Sequence, residues 1–421
     1  MEYKVIVAHP ERQHSFRLAS ALKKNGILFK YITTVYNKKS SILMRVTKLF
    51  LSQENLQRAN NRINKDLEED DVVQYCELRG LLQIALYRFD KSKRLYNWWH
   101  KNTSRRFGLK VAKLAIQEKV DAVILYDANA LTCFKYLKTK APHIKRIMDT
   151  SAANRLYMKT IYEHDIKKCP EFAPRLKRER NFLWSGNYCN LLEQELGATQ
   201  FFLAPSEFVK KSLKYSGIED NQIFLCPYGT NFEARELDND DSLSSDEVLK
   251  AVYVGNVTEM KGIYYLLEAM QMIPKEKVQL TVVGAFENDD HLFDKYLDRV
   301  NFTGRVTHET VRNILNCSDV FVFPSLGEGM SLAVLEAMSC GLPCIISENS
   351  GVSEVIIKGE NGFVVNVQDI DAIRDKLFWF SENKDSIPAM RKAAIVAANK
   401  YSWRTYDKNV TEIVRYLIEN N

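Results

Sequence analysis

The 421-residue chain contains no apolar run near the roughly 20 residues that a bilayer-spanning helix requires. A membrane-crossing helix is therefore not expected. MEYKVIVAHPERQ runs straight into strand-like sequence rather than a cleavable signal, so the expected location is the cytoplasm. The eight cysteines (76, 133, 169, 189, 226, 317, 340 and 344) include no C-x2-C pair and have no histidines at zinc spacing. That excludes a zinc ribbon and points to reduced, mostly buried thiols. The first strand is followed by AHPERQHS, without G-x-G-x-x-G, which excludes a nicotinamide dehydrogenase. No D-x-D pair stands at a strand end, so no metal is expected. Repeats, low-complexity tracts and nucleic-acid fold signatures are absent too, and nucleic acid is not an expected partner.

What is present is an α/β pattern read twice. A chain of this length exceeds one ordinary core, and its 46% hydrophobic content fills two. Charge divides unevenly between the halves. Residues 1–220 hold 40 Lys and Arg against 23 Asp and Glu, which leaves 19 against 30 from the chain totals of 59 and 53. Much of the basic excess lies between Lys38 and Lys113, where cations interleave with Leu, Phe, Tyr and two tryptophans. Such a surface suits anionic lipid headgroups. The same pattern also suits solvated helices whose aromatics fill a core.

Apolar runs at Lys4 to Ala8, Ile27 to Val35, Val120 to Tyr126 and Ile144 to Met148 read as strands of a first unit, residues 1–232. Residues 40–119 read as a helical, basic insertion. An acidic linker follows at 233–247, then a second β/α unit at 248–400 and a last helix over 401–421. The expected architecture is two Rossmann-like domains with parallel sheets facing across a cleft.

The densest information lies in FPSLGEGMSLAVLEAMSCGLPCIIS. Val320 to Pro324 and Cys344 to Ile346 read as buried parallel strands. Between them Ser331 is a natural N-cap for a helix that Gly341 and Pro343 stop. A strand, a glycine-containing loop and a helix start make an anion site at the carboxyl end of a sheet. Glu336, a turn inside the helix, suits a ribose diol, and Glu328 in the loop suits a sugar hydroxyl. Backbone N–H groups near Ser331 suit phosphate oxygens.

This block resembles the E-x7-E signature of the retaining nucleotide-sugar glycosyltransferases called glycosyl transferases group 1 or family 4. PS, EG, LE-AM, G-P and then Gly351, Ser353 and Glu354 follow in that family's order and spacing. Val252 to Met270 is similar to its first strand and phosphate-binding turn in the second domain, and NFTGRVTHETVRNILNCSDVFVFPS to the segment that cups the base. CPYGTNF and YSWRTYDKNVTEIVRYL are similar to its interdomain turn and last helix. The resemblance implies the GT-B fold, with the C-terminal helix crossing back onto the first domain. It implies a donor site of Gly255, Asn256, Lys261, Arg305, Val306, Glu328, Gly329, Met330, Ser331, Leu332 and Glu336, with Gly284 in a second close turn.

Glu328 and Lys261 are the expected catalytic groups, with Asp127 and Asp149, while His14 and Asn154, and less so Arg155, are expected on the acceptor side. No cofactor is implied beyond the nucleotide-diphosphate sugar as donor substrate. The acceptor would be a glycan or a lipid-linked acceptor at the inner membrane face. Three departures from the family pattern stand out: Asn256 where an Arg is usual, His9 and Pro10 where two glycines are usual, and no histidine after the mid-domain strand. They motivate a rival reading, a non-catalytic GT-B subunit that binds nucleotide or a partner enzyme. A glycosidase would need two carboxylates about 5–9.5 Å apart across one sugar, and no such cleft is indicated.

Overall fold

The computed structural model describes residues 3–11, 14–48, 52–90, 92–230, 232, 247–288 and 291–420. Its first lobe carries β1 (Val5–Ala8), β2 (Leu28–Thr33), β3 (Val72–Gln74), β4 (Ala122–Tyr126), β5 (Lys145–Asp149), β6 (Phe201–Ala204) and β7 (Ile223–Leu225). These form one sheet of order β3-β2-β1-β4-β5-β6-β7, parallel throughout. The second lobe carries β8 (Leu249–Val254), β9 (Val278–Val283), β10 (Val300–Gly304), β11 (Val320–Phe323), β12 (Cys344–Ser347) and β13 (Gly362–Val365), in the parallel order β10-β9-β8-β11-β12-β13. Helices cover both faces, so β1, β4, β11 and β12 are buried along their whole length. This is the two-lobed GT-B arrangement.

Each sheet has one point where strand order reverses: between β1 and β4 in the first lobe, between β8 and β11 in the second. Connections leave such a pair toward opposite faces, so a crevice opens beyond the carboxyl ends of the two strands. Those ends carry His9 and Asp127 in one lobe, Gly255 and Pro324 in the other.

The 40–119 stretch differs from a purely helical insertion. It holds helices Ile42–Lys48, Gln53–Asn60, Glu77–Phe89 and Arg94–Gln117, but it also supplies β3, which pairs with β2 as the sheet edge. Only three residues long and preceded by the acidic Glu68–Asp71 turn, β3 shows too little alternation to be read as a strand. Of the expected acidic linker, residues 233–246 lie outside the described residues.

The last helix, Trp403–Glu419, starts at Ser402, whose Oγ accepts from Thr405 N at 3.1 Å. It packs along the first-lobe helix Ser15–Lys24, with Arg17 ion-paired to Asp407 and Tyr3 donating to Glu419 at 2.9 Å. Where the chain crosses between lobes, Thr230 and Ser402 pair as a parallel bridge. Gly229 is required there, because a Cβ would overlap the backbone of Ser402 and Trp403.

Candidate functional site

In the second lobe two glycines set the floor. Gly284 (φ +149) ends β9 so close to the turn after β8 that a Cβ would overlap Gly255 O. Gly262 (φ +67) caps helix Ile263–Gln271 and lies against Pro324 O with the same lack of room. Only glycine tolerates both the positive φ and the contact. This packing delivers the preceding residue, Lys261, to the end of β11. Its ammonium is ion-paired with Glu328, whose carboxylate also accepts from Ser325 Oγ at 2.8 Å. Tyr253 Oη donates to Asn256 O at 2.9 Å and holds the turn that carries Asn256.

A cleft of about 580 Å³ opens over this floor. Gly255, Asn256, Lys261, Arg305, Val306, Glu328, Met330, Ser331 and Leu332 all line it. Helix Leu332–Ser339 points its first turn at the cleft, where amide hydrogens have no intrahelical partner. Ser331 occupies the N-cap position in extended conformation, but its hydroxyl makes no cap bond and its N–H goes to Ser350 O at 3.2 Å. Glu336 lies one turn deeper, outside the cleft wall. Burial pushes its carboxyl above the usual range, opposed by nearby His308. The cleft therefore presents a lysine and helix-start amides to an anion, with the Glu328 carboxylate in its wall and half-buried Glu336 outside it.

Gly329 turns away from the cleft to the other lobe. A Cβ there would overlap Ser151 O, and its own carbonyl accepts from Ser206 Oγ at 2.6 Å. Gly351 (φ +71) packs onto the same carbonyl from behind. Met330 Sδ is 3.1 Å from Tyr228 N.

In the first lobe the predicted residues fall into two groups. Asp149, buried at the end of β5, has His14 Nε2 at 3.2 Å, and Tyr228 Oη reaches both, at 2.9 Å from His14 Nε2 and 3.4 Å from Asp149 Oδ1. The His14 ring meets Tyr126 edge-on at 5.1 Å. Asp127 belongs to the second group, with Arg155 Nη2 at 3.2 Å and Ser151 Oγ at 3.5 Å, and Arg155 also donates to Tyr188. Asn154 is spent structurally, since its Oδ1 accepts from Leu156 N at 2.9 Å as the N-cap of helix Arg155–Lys168. His9 fills the turn after β1 where the resemblance leads one to expect glycines. It is buried, takes the Glu11 N–H on Nδ1 at 2.9 Å, and burial lowers its pKa.

Glu195 escaped the sequence reading. Buried in helix Gly186–Ala198, it accepts from the amides of Ala128 (2.7 Å), Ala130 (2.7 Å) and Leu131 (2.9 Å), fixing the loop that carries Asp127. Burial outweighs those donors and pushes its carboxyl up to about 7. The signal was a glutamate on the same helical face as Leu192 and Leu196. Tyr228 had no such signal.

Residues 249–383 match the family model described as Glycosyl transferases group 1. Over 218 residues the chain is 28% identical to the sulfoquinovosyl transferase SQD2 of Arabidopsis thaliana, covering 49% of this chain and 42% of that one. Over 140 residues it is 36% identical to an Escherichia coli UDP-Gal:alpha-D-GlcNAc-diphosphoundecaprenol alpha-1,3-galactosyltransferase, covering 31% and 36%. The chain thus spans less than half the length of these two curated relatives. Among solved structures, a sucrose-phosphate synthase from Thermosynechococcus elongatus superposes over 100% of both chains with a TM-score of 0.66 at 17% identity, a likeness of fold. The chain has the GT-B fold, and its second lobe relates it to the glycosyl transferases group 1.

Proposed function

We propose that the protein is a retaining, hexosyltransferase-type glycosyltransferase that moves a sugar from a nucleotide-diphosphate sugar to a hydroxyl of a glycan or lipid-linked acceptor, in surface-polysaccharide or glycoconjugate synthesis. The observation that carries the reading is the Lys261–Glu328 pair beside the first turn of helix Leu332–Ser339, at the strand-order reversal of the second lobe. A leaving diphosphate meets an ammonium and open amides there, so its developing charge is neutralised by the chain itself. Glu328 faces the sugar, Glu336 the ribose, and Arg305 with Val306 the base. A phosphate oxygen takes the acceptor proton, so no cofactor enters the step. The E. coli relative's name specifies a uridine-diphosphate donor and a diphosphoundecaprenol-linked acceptor, which favours a lipid-linked acceptor for this chain. Eight free cysteines, five of them buried, favour a reducing, cytoplasmic setting.

His9 in the turn after β1 favours a second reading, a GT-B subunit that binds nucleotide without transfer, because a buried ring bonded to Glu11 stands where the family resemblance leads one to expect glycine. One experiment separates the two. Nucleoside diphosphates and nucleotide sugars are titrated by calorimetry against wild type and Glu336→Ala, and NMR then follows hydrolysis or transfer of whichever sugar nucleotide binds. Binding lost in the variant, with an anomer retained in the product, supports the transferase. Binding without turnover supports the subunit, and no binding by any nucleotide sinks both.

A further inference from the structure

Among the described residues, nine of the eighteen exposed large apolar side chains lie between Ile42 and Trp98. Eight of them sit on the helices Ile42–Lys48, Glu77–Phe89 and Arg94–Gln117, and Ile63 lies in the segment between the first two. In helix Ile42–Lys48, Ile42 (69% exposed) and Val46 flank exposed Arg45, while Met44 packs inward on Val35 and Ala59. Helix Glu77–Phe89 packs Leu81 and Ile84 on that same small cluster and buries Gly80 and Gln83. Leu78, Leu82 and Phe89 (82% exposed) then fall within about 40° of one another on its outer side. In helix Arg94–Gln117 the inner face holds Phe107, Val111 and Ala115, whereas Leu95, Trp98, Arg105 and Arg106 share the outside.

Solvated helices do not expose Leu, Phe and Trp in stripes opposite a filled core. The charge beside those stripes has one sign. From Val72 to Lys113 ten Lys and Arg stand against two acids. Both acids are engaged locally: Glu77 accepts from Ser41 Oγ at 2.5 Å, and Asp90 takes Ser92 Oγ at 2.7 Å and Tyr96 N at 2.9 Å. Lys93 lies 4.2 Å over the Tyr87 ring and Arg79 4.6 Å over Trp99. Charged heads therefore lie directly over aromatic faces in this region.

We propose that this face, with Phe89 and Trp98 inserted and Arg45, Arg88, Arg94, Lys101 and Arg105 on headgroups, seats the protein on an anionic bilayer surface. Apolar tips ringed by cations fit a headgroup layer over acyl chains. On the inner side of helix Glu77–Phe89, Gln83 Nε2 donates to Glu11 Oε1 at 2.5 Å and lies 3.0 Å from His100 Nδ1, which ties the helix to the turn after β1.

The test is co-sedimentation with vesicles of phosphatidylglycerol and phosphatidylcholine in equal parts, against vesicles of phosphatidylcholine alone. Binding is expected only to the anionic vesicles, weakening with salt. Arg88→Glu/Arg94→Glu should weaken it on the order of twentyfold or more, at about fivefold per cation removed, and Phe89→Ser/Trp98→Ser should weaken it comparably. These side chains are exposed, so the variants keep the wild-type unfolding midpoint. Anionic binding that all variants retain overturns the proposal, as does no vesicle binding at all. A wild-type dimer in gel filtration that Phe89→Ser/Trp98→Ser makes monomeric overturns it too, since a second copy would then cover the face. Glu328→Gln should bind vesicles like wild type, and Arg88→Glu/Arg94→Glu should bind nucleoside diphosphates like wild type. Either reading can therefore fail without the other.

Discussion

Lys261 is ion-paired with Glu328, so an anion entering the cleft competes with a carboxylate for that cation. The two side chains are 19% and 15% exposed, between a surface pair, worth about 0–1 kcal/mol, and a buried pair, whose breaking costs about 3–5 kcal/mol. Freeing Lys261 from Glu328 then costs about 1–2 kcal/mol. Glu328→Gln keeps the size of the side chain and an acceptor for Ser325 Oγ but removes the competing charge. A nucleoside diphosphate, which has no sugar for Glu328 to contact, should bind this variant about five- to thirtyfold more tightly in calorimetry. Turnover of the sugar nucleotide should fall by about a hundredfold or more, because Glu328 acts on the sugar as charge develops. Lys261→Ala should do the reverse to binding, weakening the same nucleoside diphosphate by about 2 kcal/mol through loss of a charge-assisted contact. The double variant measures the coupling directly. Weaker nucleoside-diphosphate binding by Glu328→Gln would refute the reasoning, since the carboxylate would then be holding the ligand rather than restraining the lysine.

Gly262→Ala places a Cβ against Pro324 O at φ +67, and should lower stability by about 2–4 kcal/mol and the thermal midpoint with it; an unchanged midpoint contradicts the close packing. Glu195 holds its proton to about pH 7 in the folded state and only to about pH 4.5 when unfolded. The folded chain binds the extra proton across that window, so stability falls as pH rises through it, by roughly 3 kcal/mol at most. Urea midpoints across the window should show Glu195→Gln with a flatter decline than wild type, and parallel curves would rule the carboxyl out. Asp165 accepts from Tyr265 Oη at 2.6 Å and Gln368 Nε2 at 2.8 Å, joining a first-lobe helix to the second lobe. Asp165→Ala strands two buried donors and should cost about 2–4 kcal/mol in urea unfolding, with Asp165→Asn, which keeps an acceptor, costing less.

How much of this was legible depends on how far apart in sequence the parts lie. The second-lobe cleft is built from short, contiguous strand–turn–helix units. Gly255, Gly284 and Ser331 each mark the end of an apolar strand or the start of a helix, and a linear reading places them together. The first-lobe clusters are assembled by topology. His14, Asp149 and Tyr228 meet because β1, β4 and β5 are neighbours and the interdomain turn folds over them. No local pattern reports that meeting. Asn154 looked like a ligand group and is a helix cap, because a cap and a ligand require the same side chain. Glu195 broke an apolar helical face, which was readable, but the amides it binds lie more than sixty positions upstream.

Gly329 is where the second-lobe cleft loop meets the first lobe. Its neighbour Glu328 is fixed within the second lobe by Lys261, Ser325 and its own N–H to Asn349 O at 2.9 Å. Gly329 itself rests on Ser151 O and accepts from Ser206, both of the first lobe. Ser151 in turn reaches Asp127 through its hydroxyl. The backbone at 328–329 is thus held from both lobes, with no side chain at 329 to keep them apart. Two residues, Ser151 and Gly329, thus stand between the carboxylate at the end of β4 and the one after β11. A side chain at 329 would separate the lobes at the point where their crevices face each other.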